Sequence, residues 1–373
     1  MRVATRVRSR RSTAFAVAML AGVTGFARVP ARTAGAYPTI TASARGLSAP
    51  VPEVAFYRSG STTVADATGA VLTFVPELSS WSLGGRLLAG TRPGAEAPRV
   101  VGYDARTGTR VFAVRDAMQP SVLDPGGRVA FWGTYPRDPQ NNSVWMREVD
   151  GSVHKVVQFS NGGGLPGYDA GFGGDGTILG TSFDRSGSVM ALAEGNDLEL
   201  FTYDVFTVAV SGASVRRITA DHHSRVPAVS PNGLRLAWQR DVGTCGAPYI
   251  RASRLMVSDI DGEHRKVVAH ASCDGWLSGA RWVSSREVVG YTTRRLGPGR
   301  YATDLVRLDV VTGNRTRLTS SGAVWFMSVD PLRRLVGYAQ NGVSGFTLLD
   351  LDTHTRVRVA GQVPHLSGDL GTL

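Results

Sequence analysis

The chain has little charge and no long apolar run after its N-terminal segment, and each shortage removes a class of protein. Charged residues make up 19% of the 373 residues against 42% hydrophobic ones, which excludes a disordered chain. No later segment contains eighteen uninterrupted apolar residues, so no transmembrane helix is expected in the body of the chain. Glycine is abundant instead, with 45 residues, and 18 prolines accompany it, as is typical of all-β proteins with many tight turns.

The net charge of +11 comes mainly from the N-terminus. Seven of the 41 basic residues lie within residues 1–36, which contain no acidic residue, and the remaining chain carries only +4, with 34 basic against 30 acidic residues. A surplus this small over a large surface does not make the dense cationic face that binding to a phosphate backbone requires. Nucleic acid is therefore not an expected partner.

The N-terminal segment is typical of an export signal. A basic start is followed by a short apolar stretch at 14–27 and by the small-residue pattern Ala34-Gly35-Ala36. We predict a signal peptide over 1–36, a linker over 37–51 and one domain over 52–373, secreted or otherwise extracytoplasmic. Cleavage leaves no membrane span, and an uncleaved anchor is the alternative. Arg10-Arg11 is a weak hint of the twin-arginine route.

The two cysteines, Cys245 and Cys273, are expected to form a disulfide, because exported proteins fold in an oxidising compartment. Two buried free thiols are the alternative.

A hairpin unit recurs along the chain: an alternating strand that ends in a polar residue, a tight turn, and a second strand. The turns contain Asp, Asn or Gly, residues that reach the backbone angles of tight hairpins. The seven copies lie at 63–69, 101–108, 146–151, 208–212, 256–262, 306–313 and 348–354.

A second unit, a short strand, a turn and an apolar strand, precedes most of these hairpins, and its clearest copy is 227–238. Together the two units give four strands, so we predict an all-β fold: a β-propeller of about seven four-stranded blades, with six blades as the alternative. The first hairpin, within 53–75, lacks a preceding strand, and the tail 363–369 looks like that missing strand. Pairing of the N- and C-terminal segments in one blade would then close the ring and protect its edges.

The copies at 227–238 and 282–290, with the continuation Leu-Met-Val-Ser-Asp-Ile-Asp-Gly at 255–262, resemble the repeat of TolB-like, WD40-like propellers. The resemblance covers about residues 52–370 and is sharp at 226–268. It implies an exported bacterial protein, of actinobacterial origin, that serves as a binding or scaffold module.

The common signatures of hydrolases, metalloproteases and nucleotide-binding proteins are missing, so no catalytic residue is assigned, no metal or other cofactor is expected, and an enzyme is the less favoured class. Residues 259–262 fit a hairpin turn better than a calcium loop. His222-His223 fits a solvated connection better than a metal site, because adjacent side chains of an extended segment point apart. Trp81, Trp238 and Trp282 are expected to pack between blades.

Four connections exceed what the scaffold needs: 135–142, 160–176, 243–251 and 294–301. In the propeller alignment three of them join the second and third strands of a blade and one joins successive blades, so all four open on one end of the disc. Variable loops without a function are the alternative explanation. The candidate binding residues on that face are Tyr135, Asp138, Tyr168, Asp169, His222, Arg225, Tyr249, Arg294 and Arg295.

The expected function is therefore an extracytoplasmic, monomeric binding or scaffold protein whose partner is a protein or a cell-envelope glycan. The alternative is a propeller lyase or hydrolase that acts on a polysaccharide or peptide.

Overall fold

The structure is a computed structural model, and it describes most of the chain from Val54 onwards. The described residues are 54–58, 60–66, 70–92, 99–123, 127–133, 143–158, 176–196, 202–211, 214–245, 251–270, 272–297, 300–366, 369 and 371–372. The predicted signal peptide and linker lie outside these residues and stay predictions.

All regular structure in the described residues is β-strand. In chain order the strands are β1 Val54–Arg58, β2 Ser61–Ala65, β3 Val71–Pro76, β4 Ser80–Gly84, β5 Leu87–Arg92, β6 Arg99–Asp104, β7 Arg110–Arg115, β8 Met118–Val122, β9 Val129–Gly133, β10 Ser143–Arg147, β11 Val153–Gln158, β12 Gly176–Phe183, β13 Val189–Asn196, β14 Thr202–Ala209, β15 Val215–Arg217, β16 Ser224–Val229, β17 Arg235–Thr244, β18 Arg251–Asp259, β19 Lys266–Ala269, β20 Gly275–Trp282, β21 Glu287–Gly297, β22 Arg300–Asp309, β23 Arg315–Arg317, β24 Val324–Asp330, β25 Leu335–Gln340, β26 Phe346–Asp350, β27 Arg356–Val359, β28 Gln362–Leu366 and β29 Gly371–Thr372.

These strands form seven antiparallel sheets, which are the blades of a β-propeller. Blade 1 has the order β28-β1-β2-β3, and blades 2 to 7 each take the next four strands, from β4–β7 to β24–β27. The short β29 adds to β12 at the inner edge of blade 4. The prediction of seven four-stranded blades is confirmed, and the six-blade alternative is wrong.

The seven predicted hairpins join the third and fourth strand of each blade, as the turn at 259–262 illustrates. The Gly262 amide donates to the Asp259 carbonyl at 2.9 Å, and Gly262 has a φ of +86°, a conformation that side chains with a Cβ rarely adopt. The prediction that this segment is a hairpin turn is confirmed.

The core lies between neighbouring blades. Trp238 is 2% exposed and packs with Leu236 and Val229 of its own blade and with Val205 of blade 4. Trp81 and Trp282 are also buried, as expected. Each blade buries its two faces against its neighbours, so a middle strand such as β5 is buried along most of its length, from Leu87 to Thr91.

The ring closes in blade 1, where strands from the two ends of the propeller pair. Val54 pairs with Leu366 and Ala55 with His365, in antiparallel register. Phe56 of β1 is 1% exposed, and its ring centre lies 5.5 Å from that of Phe346 in blade 7. The predicted closure by N- and C-terminal segments is confirmed.

Serine hydroxyls connect the inner strands of successive blades. The backbone amides of Val122, Val229 and Leu366 each donate at 3.0 Å to a serine of the preceding blade. The accepting residues, Ser82, Ser182 and Ser328, are buried in the wall of the central channel. The same contact recurs because these serines hold the same position in the repeat.

Candidate functional site

Four of the nine predicted binding residues lie in the described part of the chain. They are His222, Arg225, Arg294 and Arg295, and all four lie on the upper face, defined here as the end of the disc where the inner strands begin. The other five, Tyr135, Asp138, Tyr168, Asp169 and Tyr249, fall outside the described residues, and their role stays a prediction.

Two hairpins of the upper face are much longer than the repeat requires. The hairpin β17–β18 of blade 5 has strands of 10 and 9 residues, and β21–β22 of blade 6 has strands of 11 and 10. The equivalent strands of blade 7 have 6 and 5 residues. Four to five extra residues at about 3.3 Å each extend these hairpins by about 13 to 17 Å. We call the two extensions the arms.

Arg294 and Arg295 therefore lie in a strand and not in the loop that the sequence predicted over 294–301. They pair with Ala302 and Tyr301 on β22, and their side chains are exposed.

A disulfide holds the first arm at the point where β17 ends. Cys245 follows β17 and Cys273 lies in the connection to blade 6, with their Cα atoms 5.1 Å apart. The predicted bridge is confirmed. It ties the arm of blade 5 to the segment that leads into blade 6, and the Arg295 amide donates at 3.0 Å to the carbonyl of Asp274, next to Cys273. Both arms are thus held, beyond their bases, to one connection.

The arms carry arginines without acidic partners. Among the described residues, no carboxylate forms an ion pair with Arg254, Arg294, Arg295 or Arg300. Two apolar side chains, Val242 at 42% and Leu296 at 51% exposure, lie beside these cations on the arms. Such a surface presents positive charge together with apolar contact area.

Arg225 and Arg240 differ from the arm arginines because both are paired. Arg225 contacts Asp241 at 3.2 Å, and the Ser253 hydroxyl donates to the same carboxylate oxygen at 2.8 Å. Arg240 contacts Asp221 at 2.7 Å. These pairs hold the start of blade 5 to its own hairpin, so Arg225 has a structural contact that the sequence did not predict.

His222 stands beside a buried carboxylate. Its Nδ1 lies 2.9 Å from Asp204 Oδ2, and Asp204 also contacts Arg217 at 2.6 Å. The Thr219 hydroxyl donates to the same carboxylate at 2.9 Å. His222 is 42% exposed, so its ring has one edge on Asp204 and presents part of its surface to solvent. The expectation of a merely solvated histidine missed this contact.

Blade 6 contains a second copy of this cluster with glycine in place of histidine. Asp304 contacts Arg317 at 2.6 Å, accepts from the Thr319 hydroxyl at 2.9 Å and accepts from the Gly322 amide at 2.9 Å. Burial raises the pKa of Asp304, but the hydrogen bonds from Gly322, Arg317 and Thr319 outweigh burial and bring the pKa below 3.8. Both clusters join the third and fourth strands of a blade to the next connection, which is a structural role.

Gly322 and His222 both have positive φ, +70° and +57°. The histidine thus occupies a conformation that its counterpart fills with glycine, which is a mark of local strain.

The inner strands place one basic residue deep in the channel wall. Arg281 of blade 6 holds the register position that Ser82, Ser182 and Ser328 hold in other blades, and it is 7% exposed. Sequence reasoning missed Arg281, although an alignment of the blades contains a signal: the same position is Ser or Ala in blades 2 to 5 and in blade 7. Within the described chain, no group of three metal-ligating side chains occurs, and no helix there is long and apolar enough to cross a membrane.

Comparisons with known proteins identify the class of fold. No protein-family model matches the chain, and no curated protein matches it. The tricorn protease is similar in structure, with a TM-score of 0.62 and 11% identity over 85% of this chain and 34% of that one. This chain thus spans about a third of the tricorn protease.

Two further solved structures are similar. Oligogalacturonate lyase in complex with manganese has a TM-score of 0.57 and 12% identity over 84% of this chain and 85% of that one. TolB from Acinetobacter baumannii has a TM-score of 0.48 and 14% identity over 85% and 82%, and a score this low supports no argument. At these identities the likeness shows the propeller fold and nothing finer.

Proposed function

We propose that this chain is an extracytoplasmic binding module whose two arms bind an anionic glycan of the cell envelope. The observation that carries the proposal is the pair of extended hairpins with arginines that have no acidic partner among the described residues. Connections longer than a scaffold needs are where binding residues concentrate. The disulfide supports an oxidising location, and therefore export.

The chemistry of the arms favours a chain of acidic sugars. Arginine guanidinium groups pair with carboxylates through parallel hydrogen bonds, and the exposed apolar side chains Val242 and Leu296 offer surface to the apolar faces of sugar rings. Arms that stand about 13 to 17 Å above the disc can contact several residues of an extended polymer at once.

The test measures binding of polygalacturonate, with neutral dextran as the uncharged control. We expect wild-type protein to bind polygalacturonate, to release it as salt rises, and to ignore dextran. Arg294→Gln combined with Arg295→Gln should weaken binding at least tenfold. Arg110→Gln combined with Arg115→Gln removes the same charge from β7, on the outer edge of blade 2, and should change binding less than twofold.

Equal losses in the two double variants would mean that net charge, and not the arms, attracts the polymer. Absence of binding by wild-type protein would overturn the glycan assignment, and a protein partner would become the leading hypothesis.

An enzyme remains the second hypothesis, and the His222–Asp204 pair is the observation that favours it. A carboxylate on Nδ1 orients an imidazole so that Nε2 can accept a proton. If the chain is a lyase or hydrolase, reducing-end or unsaturated products should appear on polygalacturonate and disappear in His222→Gln. Without such products in wild-type protein, the His222–Asp204 pair is structural, like the Asp304 cluster.

A further inference from the structure

The lower end of the central channel, where the inner strands end, contains a cavity of about 20 Å³, room for about one water molecule. Its wall includes Ser182, Val229, Arg281, Trp282, Val329 and Asp369, contributed by four blades and by the segment that follows β28. The arms lie at the opposite end of the disc, so this cavity is separate from the proposed glycan site.

Arg281 is the residue that gives this cavity its chemistry. Its side chain is buried, yet no hydrogen bond or ion pair joins its guanidinium to a described residue. A buried guanidinium without hydrogen-bond acceptors is costly, and it favours an anion within reach. Ser182 adds a donor, since its hydroxyl accepts from the Val229 amide and its proton is not used by any described acceptor.

The chain itself supplies a carboxylate to this end of the channel. Asp369 is 9% exposed, accepts from the Ser328 hydroxyl at 2.6 Å and from the Val329 amide at 3.3 Å, and lies with Arg281 in the wall of the cavity. The side chain of Tyr291 is close enough to both charges to be affected: its burial raises its pKa, Arg281 lowers it and Asp369 raises it. Asp369 and Arg281 therefore share one electrostatic environment.

The same segment also adds a strand to the channel wall. Gly371 pairs with Ser182 and Thr372 with Thr181, so β29 lies antiparallel to β12 at the inner edge of blade 4. Only two residues take part, and an edge strand that carries so short an addition offers its remaining amides and carbonyls to another extended backbone.

We propose that the lower end of the channel is a binding site for an extended peptide with an acidic side chain, and that Asp369 and β29 occupy this site in cis. The acidic side chain takes the place of the Asp369 carboxylate: it accepts from Ser328 and Val329, and Arg281 lies in the same cavity wall as the nearby cation. The peptide backbone takes the place of β29 on β12. The backbone pairing selects a peptide, because a sugar acid has a carboxylate but no strand to add.

The test uses the full chain and a labelled hexapeptide, acetylated and amidated, of the sequence Ser-Gly-Asp-Leu-Gly-Thr found at 367–372. In Asp369→Asn the competing carboxylate is lost, and we expect the peptide to bind at least tenfold more tightly than to wild-type protein. The same peptide with Asn in place of Asp should bind the variant at least tenfold more weakly.

Substitution of Arg281 in the Asp369→Asn background tests whether Arg281 is the cation that recognises the acidic side chain of the peptide. Arg281→Gln should remove the preference for the Asp peptide over the Asn peptide, while Arg281→Lys should retain part of it. Arg235→Gln, in blade 5 and outside the cavity wall, is the matched control and should leave both affinities within twofold. Circular dichroism verifies that each variant is folded.

Three results would overturn the proposal. The Asp369→Asn chain could fail to bind the peptide, or it could bind the Asp and Asn peptides equally. Monomeric galacturonate could displace the peptide at the concentration at which the unlabelled peptide does, which would show that the carboxylate alone is recognised and that the strand pairing is not used.

Discussion

Single buried carboxylates organise the upper face of blades 4 and 6. Asp204 and Asp304 each bind the arginine that ends the fourth strand and a threonine of the connection that follows it. A buried charge is tolerated only when it is paired and hydrogen-bonded, and both conditions are met here. These aspartates therefore fix the path of the chain from one blade to the next.

Asp304→Asn should destabilise the protein by about 1 to 3 kcal/mol at pH 7, because the charged hydrogen bond from Arg317 is lost. Urea unfolding of wild-type and variant protein measures this difference. Asp261→Asn is the control, since Asp261 is about half exposed and lies 3.7 Å from Arg216, and it should change the free energy of unfolding by less than about 0.5 kcal/mol.

The cost of Asp304→Asn should depend on pH. The pKa of Asp304 is lowered in the folded protein, so its contribution to stability is complete above the unfolded pKa of about 3.9 and is lost as the pH falls through the lower, folded pKa. The stability difference between wild-type and variant should therefore shrink when unfolding is measured below pH 3.8. A difference that stays constant down to pH 2 would contradict the assigned shift.

Contacts between individual residues were the part of the structure that the sequence predicted least well. Ile218-Thr219 and Leu318-Thr319 each follow an arginine, and this repeated Arg-apolar-Thr pattern could have located both clusters. The pattern does not by itself indicate a site, because neither triplet resembles a catalytic motif. Arg281 and Asp369 could not be predicted to share a cavity wall, because the last segment has to return to the channel first and no local pattern encodes that return.

At the scale of elements, the arms lengthen the hairpins of blades 5 and 6 beyond what the repeat requires. The turn residues at 259–262 and 309–313 identified their hairpins because tight turns demand particular residues. The far ends of β17 and β21 were predicted as loops, since Thr292 to Arg295 has no apolar residue to mark a buried face. Strand structure persists there because β21 pairs with β22 and, as far as Arg294, also with β20, while the side chains of Arg294 and Arg295 stay exposed.

Removal of the disulfide tests what holds the arms. In the chain-entropy model a bridge that closes a loop of this size, with a sequence separation of 28, contributes roughly 3 to 4 kcal/mol. Cys245→Ser combined with Cys273→Ser should therefore lower the melting temperature while the circular dichroism spectrum keeps its β character. A reductant should lower the melting temperature of wild-type protein and leave that of the double variant unchanged. An equal response of both proteins would contradict a structural role for the bridge.

At the scale of the molecule, the seam between blades 7 and 1 decides whether the ring is closed. Its core contains Val54, Phe56, Phe346 and Leu366, all at most 1% exposed. Apolar burial at this seam has to hold together parts of the chain that are far apart in sequence. The sequence predicted this closure because the first hairpin lacked a strand and the tail supplied one.

Phe56→Ala should cost about 3 to 5 kcal/mol, the range for removal of a buried aromatic ring. Phe74→Ala is the matched control in the same blade, because Phe74 on β3 is 59% exposed, and it should cost less than about 0.5 kcal/mol. Chemical denaturation followed by tryptophan fluorescence measures both values. Similar losses of unfolding free energy in the two variants would show that the seam contributes no more to stability than the outer edge of blade 1.

The pairing of β1 with β28 also sets the order of events during synthesis. About 300 residues separate the two strands, and at 5 to 20 residues per second a ribosome needs about 15 to 60 s to make the second after the first. During that interval β1 presents an unpaired inner edge, which can recruit a strand from another chain. Pairing of β1 therefore has to wait until β28 has been made. A chaperone that covers β1, or late folding of blade 1, would keep neighbouring nascent chains from completing one another's rings.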